Sequence, residues 1–132
     1  MKPVDVIDMV LKIDLRGDSF IKASRANREL LPRLKTFLAG FVQSIHLRKK
    51  MFDSGGTPTL CSREFVMGLK SPPTDYVFES FIFYKAQEVG LNIVRPKVPY
   101  GQRMFGQSHW QRGFKSEVNL MKLIWMSAKE WR

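Results

Sequence analysis

The sequence has few of the residues that bind metals or cross-link chains. Its 132 residues include one cysteine, Cys61, so an intramolecular disulfide and a zinc site of four cysteines are both excluded. Its two histidines, His46 and His109, are too far apart for a recognisable metal motif. The sequence therefore predicts no disulfide framework and no metal centre of its own.

Long apolar runs are also missing. No segment reaches the roughly 18 uninterrupted apolar residues of a membrane-spanning helix. The start, MKPVDVIDMVLKIDLRGD, is charged throughout and lacks the apolar run of a signal peptide. We therefore expect an intracellular protein that is soluble or bound to a membrane surface.

Acidic residues are scarce beside basic ones. Lys and Arg number 22 against 12 Asp and Glu, which gives a net charge of +10. This balance favours anionic partners such as nucleic acid, acidic membranes or phosphate-bearing substrates, without choosing among them. Hydrophobic residues make up 44% of the chain, so its length and composition predict one packed domain.

The order of elements predicted by periodicity is typical of an α/β protein. We expect a short amphipathic helix over residues 3–13, a strand at SFIKAS and a long helix through about Leu47 with one apolar face. A helix starting at Ser62, one ending before Gly90, a strand at LNIV and a last helix after Gly113 follow. Only about three strands are visible, so the chain resembles part of an α/β domain.

Several segments carry residues suited to binding or catalysis, and each also has a structural interpretation. Arg25 and Arg28 lie where a strand gives way to a helix, where guanidinium groups could bind phosphate or simply form a solvated basic turn. Asp53 precedes Gly55 and Gly56, which could admit a ligand to the backbone or form an ordinary turn. Asp75 and Glu79 are four residues apart, a spacing that places both on one helix face. They could supply a general base or orient a hydroxyl, or could be acids in an exposed first turn of a helix.

The end of the chain has a glycine loop followed by a helix. Arg103 and the loop around Ser108, His109 and Trp110 could close over a diphosphate, or could be a flexible surface loop. The last helix has an apolar stripe that predicts core packing. Its tryptophans and lysines also suit a helix lying in a membrane interface.

Five motifs in this order resemble the family 2 glycosyltransferases, and most closely their polyprenyl-phosphate branch. They are KASRANR, the segment DSGGTPTLCSREF, the helix start at Asp75–Glu79, the strand leading to Val98-Pro99, and the R..G.S.W pattern of Arg103 to Trp110. The resemblance covers nearly all of the chain. Thr59 stands where many relatives have a lysine, Phe81 where a second acid is usual, and His109 where the last motif has a lysine.

The resemblance implies a partial A-type, Rossmann-like glycosyltransferase fold that lacks its N-terminal nucleotide-binding strands. Residues 1–112 would form the acceptor-side half of the catalytic domain, and residues 113–132 an amphipathic helix at the membrane interface. The family's Asp-x-Asp motif, which grips the metal and the nucleotide sugar, does not occur in this chain. We therefore expect a fragment, or one half of a split enzyme that is inactive alone.

The resemblance also implies roles for particular residues. Glu79 would aid activation of the acceptor, with Asp53 as the second choice. The residues expected to bind phosphate or to close a loop over the site are Arg25, Arg28, Arg103, Ser108 and Trp110.

By the same resemblance, the substrates are a nucleotide sugar and a polyprenyl phosphate, used in glycan assembly at the inner face of the membrane. Mg²⁺ or Mn²⁺ is expected for the family, with the metal motif in the missing half. A protein partner would supply that half.

The alternative is a non-enzymatic binding module for acidic membrane or nucleic acid, using Arg25, Arg28, Arg33, Arg48, Lys49 and Lys50. Nucleic acid is the less favoured, because no aromatic stacking residues are interleaved with these basic residues.

Overall fold

The computed structural model describes most of the chain, namely residues 6–7, 10–11, 18–26, 30–75, 77–99 and 114–131. Residues 6–7 and 10–11 are helical and fall within the helix expected over residues 3–13. The other elements, in chain order, are β1 (Ser19–Lys22), β2 (Ser24–Ala26), α1 (Leu30–Leu47), β3 (Thr59–Leu60), α2 (Arg63–Met67), α3 (Phe78–Glu88), β4 (Asn92–Val94), β5 (Lys97–Pro99) and α4 (Phe114–Ala128).

Two small sheets are built around β1 and its continuation β2. β1 lies between β3, which is antiparallel to it, and β4, which is parallel. β2 and β5 form a second, parallel pair. Because β1 and β4 are parallel, the chain must cross over between them, and α1, β3, α2 and α3 make that crossover. The protein is mixed α/β, and the partial glycosyltransferase fold stays a prediction.

The helix α3 forms the centre of the hydrophobic core. Its middle turn is buried on every side, because the consecutive residues from Ser80 to Tyr84 are all buried, whereas its two ends carry charged residues. Phe83 stacks on Phe20 of β1 with ring centroids 6.1 Å apart, and Phe81 meets Trp131 edge-on at 5.6 Å. The helix ends just before Gly90, whose φ of +79° confirms the glycine stop expected there.

The start of α3 differs from the expectation for Asp75. The helix begins at Phe78, so Asp75 precedes it and does not share a helix face with Glu79. The Asp75 carboxylate instead accepts a hydrogen bond from the Val77 N–H at 3.1 Å, which stabilises the turn before the helix. Ser62 does cap α2 as expected, because its hydroxyl accepts from the Phe65 N–H.

The long helix α1 spans Leu30–Leu47, which confirms the helix expected through Leu47. Its apolar stripe faces solvent, and its buried residues are Gly40, Gln43 and Leu47 on the opposite side. A Cβ on Gly40 would lie 2.8 Å from the Cα of Phe52, so the helix approaches that backbone closely through the glycine. Phe37, at the edge of the stripe, stacks on Phe52 at 5.3 Å between ring centroids, and the larger part of the stripe stays exposed among the described residues.

The last helix, α4, uses only part of its stripe for packing. Ile124, Ala128 and, beyond the helix, Trp131 are buried, whereas Val118 and Trp125 are 46% and 42% exposed. Trp125 stacks on His46 of α1 at 3.8 Å between ring centroids. The buried residues of α4 agree with core packing, and its exposed apolar residues remain compatible with a membrane interface.

The turn before β3 depends on Gly56. A Cβ at this position would lie 2.0 Å from the carbonyl oxygen of Ala23, so no larger residue fits without moving one of the two backbones. The close approach lets the Ala23 N–H donate to the Pro58 carbonyl at 3.0 Å, at the junction of β1 and β2. Gly56 thus serves contact between two backbone segments of the protein itself.

We predict that Gly56→Ala destabilises the protein by at least about 2 kcal/mol, because the added methyl overpacks a backbone contact. Gly55→Ala is the matched control, since its Cβ would meet only the Arg25 guanidinium, at 3.9 Å. Urea unfolding of the two variants measures the difference. Equal stabilities would contradict this account of the turn.

Candidate functional site

The charged residues chosen from the sequence divide into those the structure describes and those it does not. Glu79, Asp53 and Arg25 are described and come from three separate segments. Arg25 pairs directly with Asp53, whereas Glu79 pairs with Lys22 at the carboxyl end of β1. The two pairs meet around the Phe83 ring, near the strand ends where α/β sheets place ligands. The remaining candidates, Arg28, Arg103, Ser108 and Trp110, lie outside the described residues.

Lys22, the last residue of β1, is the buried cation of this site. Its side chain is 0% exposed, and its Nζ donates to Oε2 of Glu79 at 2.5 Å and to Oγ1 of Thr59 at 2.9 Å. Thr59 donates in turn to the same Oε2 at 3.1 Å. Among the described residues these bonds pair two of the three N–H groups of an ammonium that would otherwise be very costly to bury.

The strand itself places Lys22 in the core. Side chains alternate across a strand, so Lys22 emerges on the same face as Phe20. That face is covered by α3, whose Phe83 ring stacks on Phe20 and lies 6.0 Å from the Lys22 Nζ. Glu79 belongs to the first turn of α3, so the helix brings both the apolar cover and the counter-charge.

Asp53 forms a second charged group with Arg25. Its carboxylate accepts the Arg25 Nε–H at 2.9 Å, a second bond from the Nη2 of the same guanidinium, and the Arg25 backbone N–H at 3.2 Å. Asp53 has φ +50°, a left-handed conformation that Asp tolerates better than most residues. The turn thus aims the carboxylate at β2 and fixes the Arg25 side chain.

Arg95, between β4 and β5, joins the two groups. It donates from Nη1 to the Phe52 carbonyl at 2.8 Å, and its Nη2 lies 4.0 Å from Oδ2 of Asp53. The guanidinium also lies 5.2 Å from the centre of the Phe83 ring, within cation–π range. Because Lys22 contacts the same ring, Phe83 is shared between both halves of the cluster.

The two groups have shifted acid–base properties. Burial raises the pKa of the Asp53 carboxyl, but hydrogen bonds and charge from Arg25, with further charge from Arg95, outweigh this and leave its pKa below the usual value. Burial lowers the pKa of Lys22, against the opposing effect of its bond to Glu79. Asp53 therefore stays ionised and committed to Arg25, which suits a positioning role better than proton transfer.

Glu79 is the acid with access to solvent. Its side chain is 38% exposed, against 18% for Asp53. Among the described residues its hydrogen-bond donors, Lys22 and Thr59, both reach Oε2, which leaves Oε1 for a ligand. The geometry thus presents one accessible carboxylate backed by a buried cation.

Two members of the cluster, Lys22 and Arg95, were not among the residues expected from the sequence. The signal for Lys22 was available, because SFIK alternates so that the lysine shares a strand face with Phe20. Arg95 gave no comparable signal, since it lies in VRP, between two strands that meet β1 and β2 only in the folded chain.

The described residues do not fit a divalent metal. Both Asp53 oxygens are engaged by Arg25, and Oε2 of Glu79 is engaged by Lys22, so these two carboxylates leave only Oε1 of Glu79 for an ion. No group of three or more His, Cys, Asp or Glu that could hold an ion occurs in the part of the chain that the structure describes.

Comparison with known proteins gives no identification. The chain matches no protein-family model, no curated protein and no solved structure. Within the stretches the structure describes, no helix has the length and apolar content to cross a bilayer.

We predict that Asp53→Asn lowers the free energy of unfolding by about 2 kcal/mol near neutral pH, because Arg25 and Arg95 lose their counter-charge. Asn keeps the left-handed turn accessible, so the loss reports the charge. The lowered pKa of Asp53 means that the wild-type advantage is present above pH 3.8 and is lost as pH falls through the folded-state pKa. Urea unfolding at several pH values measures this, with exposed Glu130→Gln as the control. A stability gap that does not narrow in acid would contradict the ion pair.

We predict that the free energy of unfolding of the Glu79→Gln variant rises with pH, between neutral pH and 10.5, more steeply than that of the wild type. Without the carboxylate, the pKa of buried Lys22 should fall further below 10.5. The folded variant then releases the Lys22 proton at lower pH than the unfolded chain, so its stability rises with pH in that window. The deficit against wild type should therefore shrink from neutral pH towards 10.5 in urea unfolding. The double variant Glu79→Gln with Lys22→Met should lose this pH dependence, and its persistence would overturn the assignment.

Proposed function

We propose that the chain is the acceptor-side half of a family 2 glycosyltransferase, which transfers a sugar from a nucleotide sugar to a polyprenyl-phosphate-type acceptor. The observation that carries the proposal is the convergence of Glu79, Asp53 and Arg25. These residues were chosen from three different motifs of the resemblance. They form one cluster with Lys22 and Arg95 at the carboxyl ends of the strands.

The cluster also bears on Thr59, which replaces a lysine common in relatives. The Lys22 ammonium lies 2.9 Å from the Thr59 hydroxyl, so β1 supplies a lysine at that point in the site. A positive charge is thus present beside Thr59, but it is buried against Glu79 and supports that carboxylate instead of contacting substrate.

In the proposed reaction, an oxygen of the acceptor phosphate forms the new bond to the anomeric carbon. The bond from that carbon to the nucleoside diphosphate breaks, and the leaving group takes the electron pair. Glu79 accepts the proton of the acceptor when its phosphate binds in the monohydrogen form, which phosphate groups populate near neutral pH. Lys22 holds the Glu79 carboxylate in place, and Asp53 holds the Arg25 guanidinium in place.

A divalent metal would stabilise the leaving diphosphate when bound, and by resemblance the missing half holds it. We propose that a partner protein supplies that half with its Asp-x-Asp motif, and that the complex works at the inner face of the membrane. Arg28, Arg103, Ser108 and Trp110 keep the phosphate-binding and loop roles that the resemblance implies.

A non-enzymatic binding module is the second candidate, and one observation favours it. Residues 30–50 contain no Asp or Glu, and Arg33, Lys35, Arg48 and Lys50 are exposed there. Arg25, expected on the same basic face, is instead paired with Asp53, and Lys49 donates to the Gln87 carbonyl at 3.3 Å. This arrangement favours an acidic membrane over nucleic acid, because the aromatic residues nearby lie on the apolar stripe.

We predict that sugar transfer requires both halves and Glu79. Radiolabelled transfer from a panel of nucleotide sugars to polyprenyl phosphate should occur when this chain is co-expressed with an Asp-x-Asp half and supplied with Mg²⁺ or Mn²⁺. Glu79→Gln should lower kcat about 100-fold or more, the usual contribution of a general base. Arg103→Ala should abolish transfer, and exposed Glu130→Gln should leave it unchanged.

Absence of transfer with every donor, from a co-purified complex of both halves, would overturn the enzymatic proposal. Retention of liposome binding in that case would leave the membrane-binding module as the function.

A further inference from the structure

The apolar stripe of α1 is open to solvent along the whole helix. Its central residues follow a spacing of three and four, and each is between 48% and 65% exposed. This spacing lines them up along one side of a helix. They are Leu31, Leu34, Leu38, Phe41 and Ile45, and they are flanked by Leu30, Phe37 and Val42, which are also exposed. A continuous apolar face of this length needs a partner surface.

Basic residues border this face. At 100° per residue, Arg33 and Lys35 fall on opposite sides of the stripe, and both are exposed. Arg48 and Lys50 are exposed just after the helix, and no acidic residue occurs from 30 to 50. The stripe is therefore an apolar surface with positive charge on both edges and at one end.

The surface continues onto α4 through Trp125. Val42 and Trp125 line the same small cleft between the two helices, and Trp125 is 42% exposed. Lys122 on the same helix and Lys129 just after its end are exposed as well. An exposed tryptophan at the edge of an apolar face, near lysines, is typical of the membrane interface.

We propose that this surface, the α1 stripe with Trp125 at its border, docks into the headgroup region of an anionic phospholipid bilayer. Such a helix lies in the membrane plane with its apolar face among the acyl chains and its basic edges at the headgroups. The charge complementarity selects anionic lipid. Lipid binding by this surface does not depend on the transferase activity. The surface lies mainly on α1, whereas the resemblance implies a membrane-interface helix at residues 113–132.

A second copy of the chain fits this surface less well. In a symmetric pair the basic edges of one α1 would face those of the other, with no acidic residue in the segment to balance them. The net charge of +10 adds to this repulsion. Anionic headgroups remove the same repulsion and attract each basic residue near the surface.

We predict binding to vesicles of phosphatidylcholine with phosphatidylglycerol, weakening with salt, and little binding to phosphatidylcholine alone, measured by flotation. Leu34→Glu with Phe41→Glu should abolish binding, since it puts charge in the apolar stripe. Arg33→Gln with Lys35→Gln should weaken it at least about tenfold. Met67→Glu is the matched control, because Met67 is 74% exposed on α2, away from this surface, and should bind as the parent does. All of these positions are exposed, so thermal unfolding should confirm that each variant folds.

A fluorescent label can test which face enters the lipid. The chain has a single cysteine, so Cys61→Ser with Leu38→Cys allows a polarity-sensitive dye on the stripe alone. Its emission should shift to the blue on anionic vesicles, whereas the same dye at Met67→Cys should not respond. A response at Met67 and none at Leu38 would overturn the assignment of the face.

Two other results would overturn the proposal. One is vesicle binding by Leu34→Glu with Phe41→Glu equal to the parent's. The other is absence of binding to anionic vesicles by the folded parent. If light scattering also shows a dimer of the parent that Leu34→Glu with Phe41→Glu loses, the surface binds a second copy of the chain instead. Sugar transfer is assayed separately, on polyprenyl phosphate dispersed in detergent without vesicles, so transfer without vesicle binding would reject this surface and keep the proposed function.

Discussion

The burial of the Lys22 ammonium is the constraint on which the site depends. A lysine with no exposed side chain is tolerable only when its donors are paired, and the pairing needs two elements distant in sequence, Thr59 of β3 and Glu79 of α3. The requirement therefore couples the central strand, its antiparallel neighbour and the core helix. The same contacts orient the one accessible carboxylate, so fold and candidate chemistry share a single set of bonds.

The second charged group has a different physical character. Asp53 and Arg25 share several bonds and are both mostly buried, and Arg95 adds a cation beside them. Removing one partner of such a pair is costly, because the other charge is then left buried without its counter-charge. The pair of Asp53 and Arg25 fixes the turn containing Gly56 against the junction of β1 and β2. The motif suggests Asp53 as a base, but in the folded protein its carboxylate holds the Arg25 guanidinium in place.

The charged cluster and the apolar face of α1 are two distinct surfaces, and they would bind ligands through different interactions. The cluster offers directed hydrogen bonds and one exposed carboxylate, which suits a small polar ligand. The α1 face offers area and positive borders, which suits an extended anionic surface. Its buried side works through Gly40, where the helix meets the backbone of Phe52. A helix that packs through a glycine leaves its large apolar residues for something outside the described chain.

Local sequence signals are enough to predict several of the helix boundaries. Periodicity placed α1, the serine cap placed α2, and Gly90 placed the end of α3, because these signals are local and act within one turn of helix. The motifs also singled out Glu79, Asp53 and Arg25. How these groups pair, and how Lys22 and Arg95 join them, depends on the folded chain. The separation of Asp75 from Glu79 and the outward orientation of the α1 stripe depend on it as well. Pairing across 57 residues, as between Lys22 and Glu79, depends on strand register and helix packing, which local patterns do not encode.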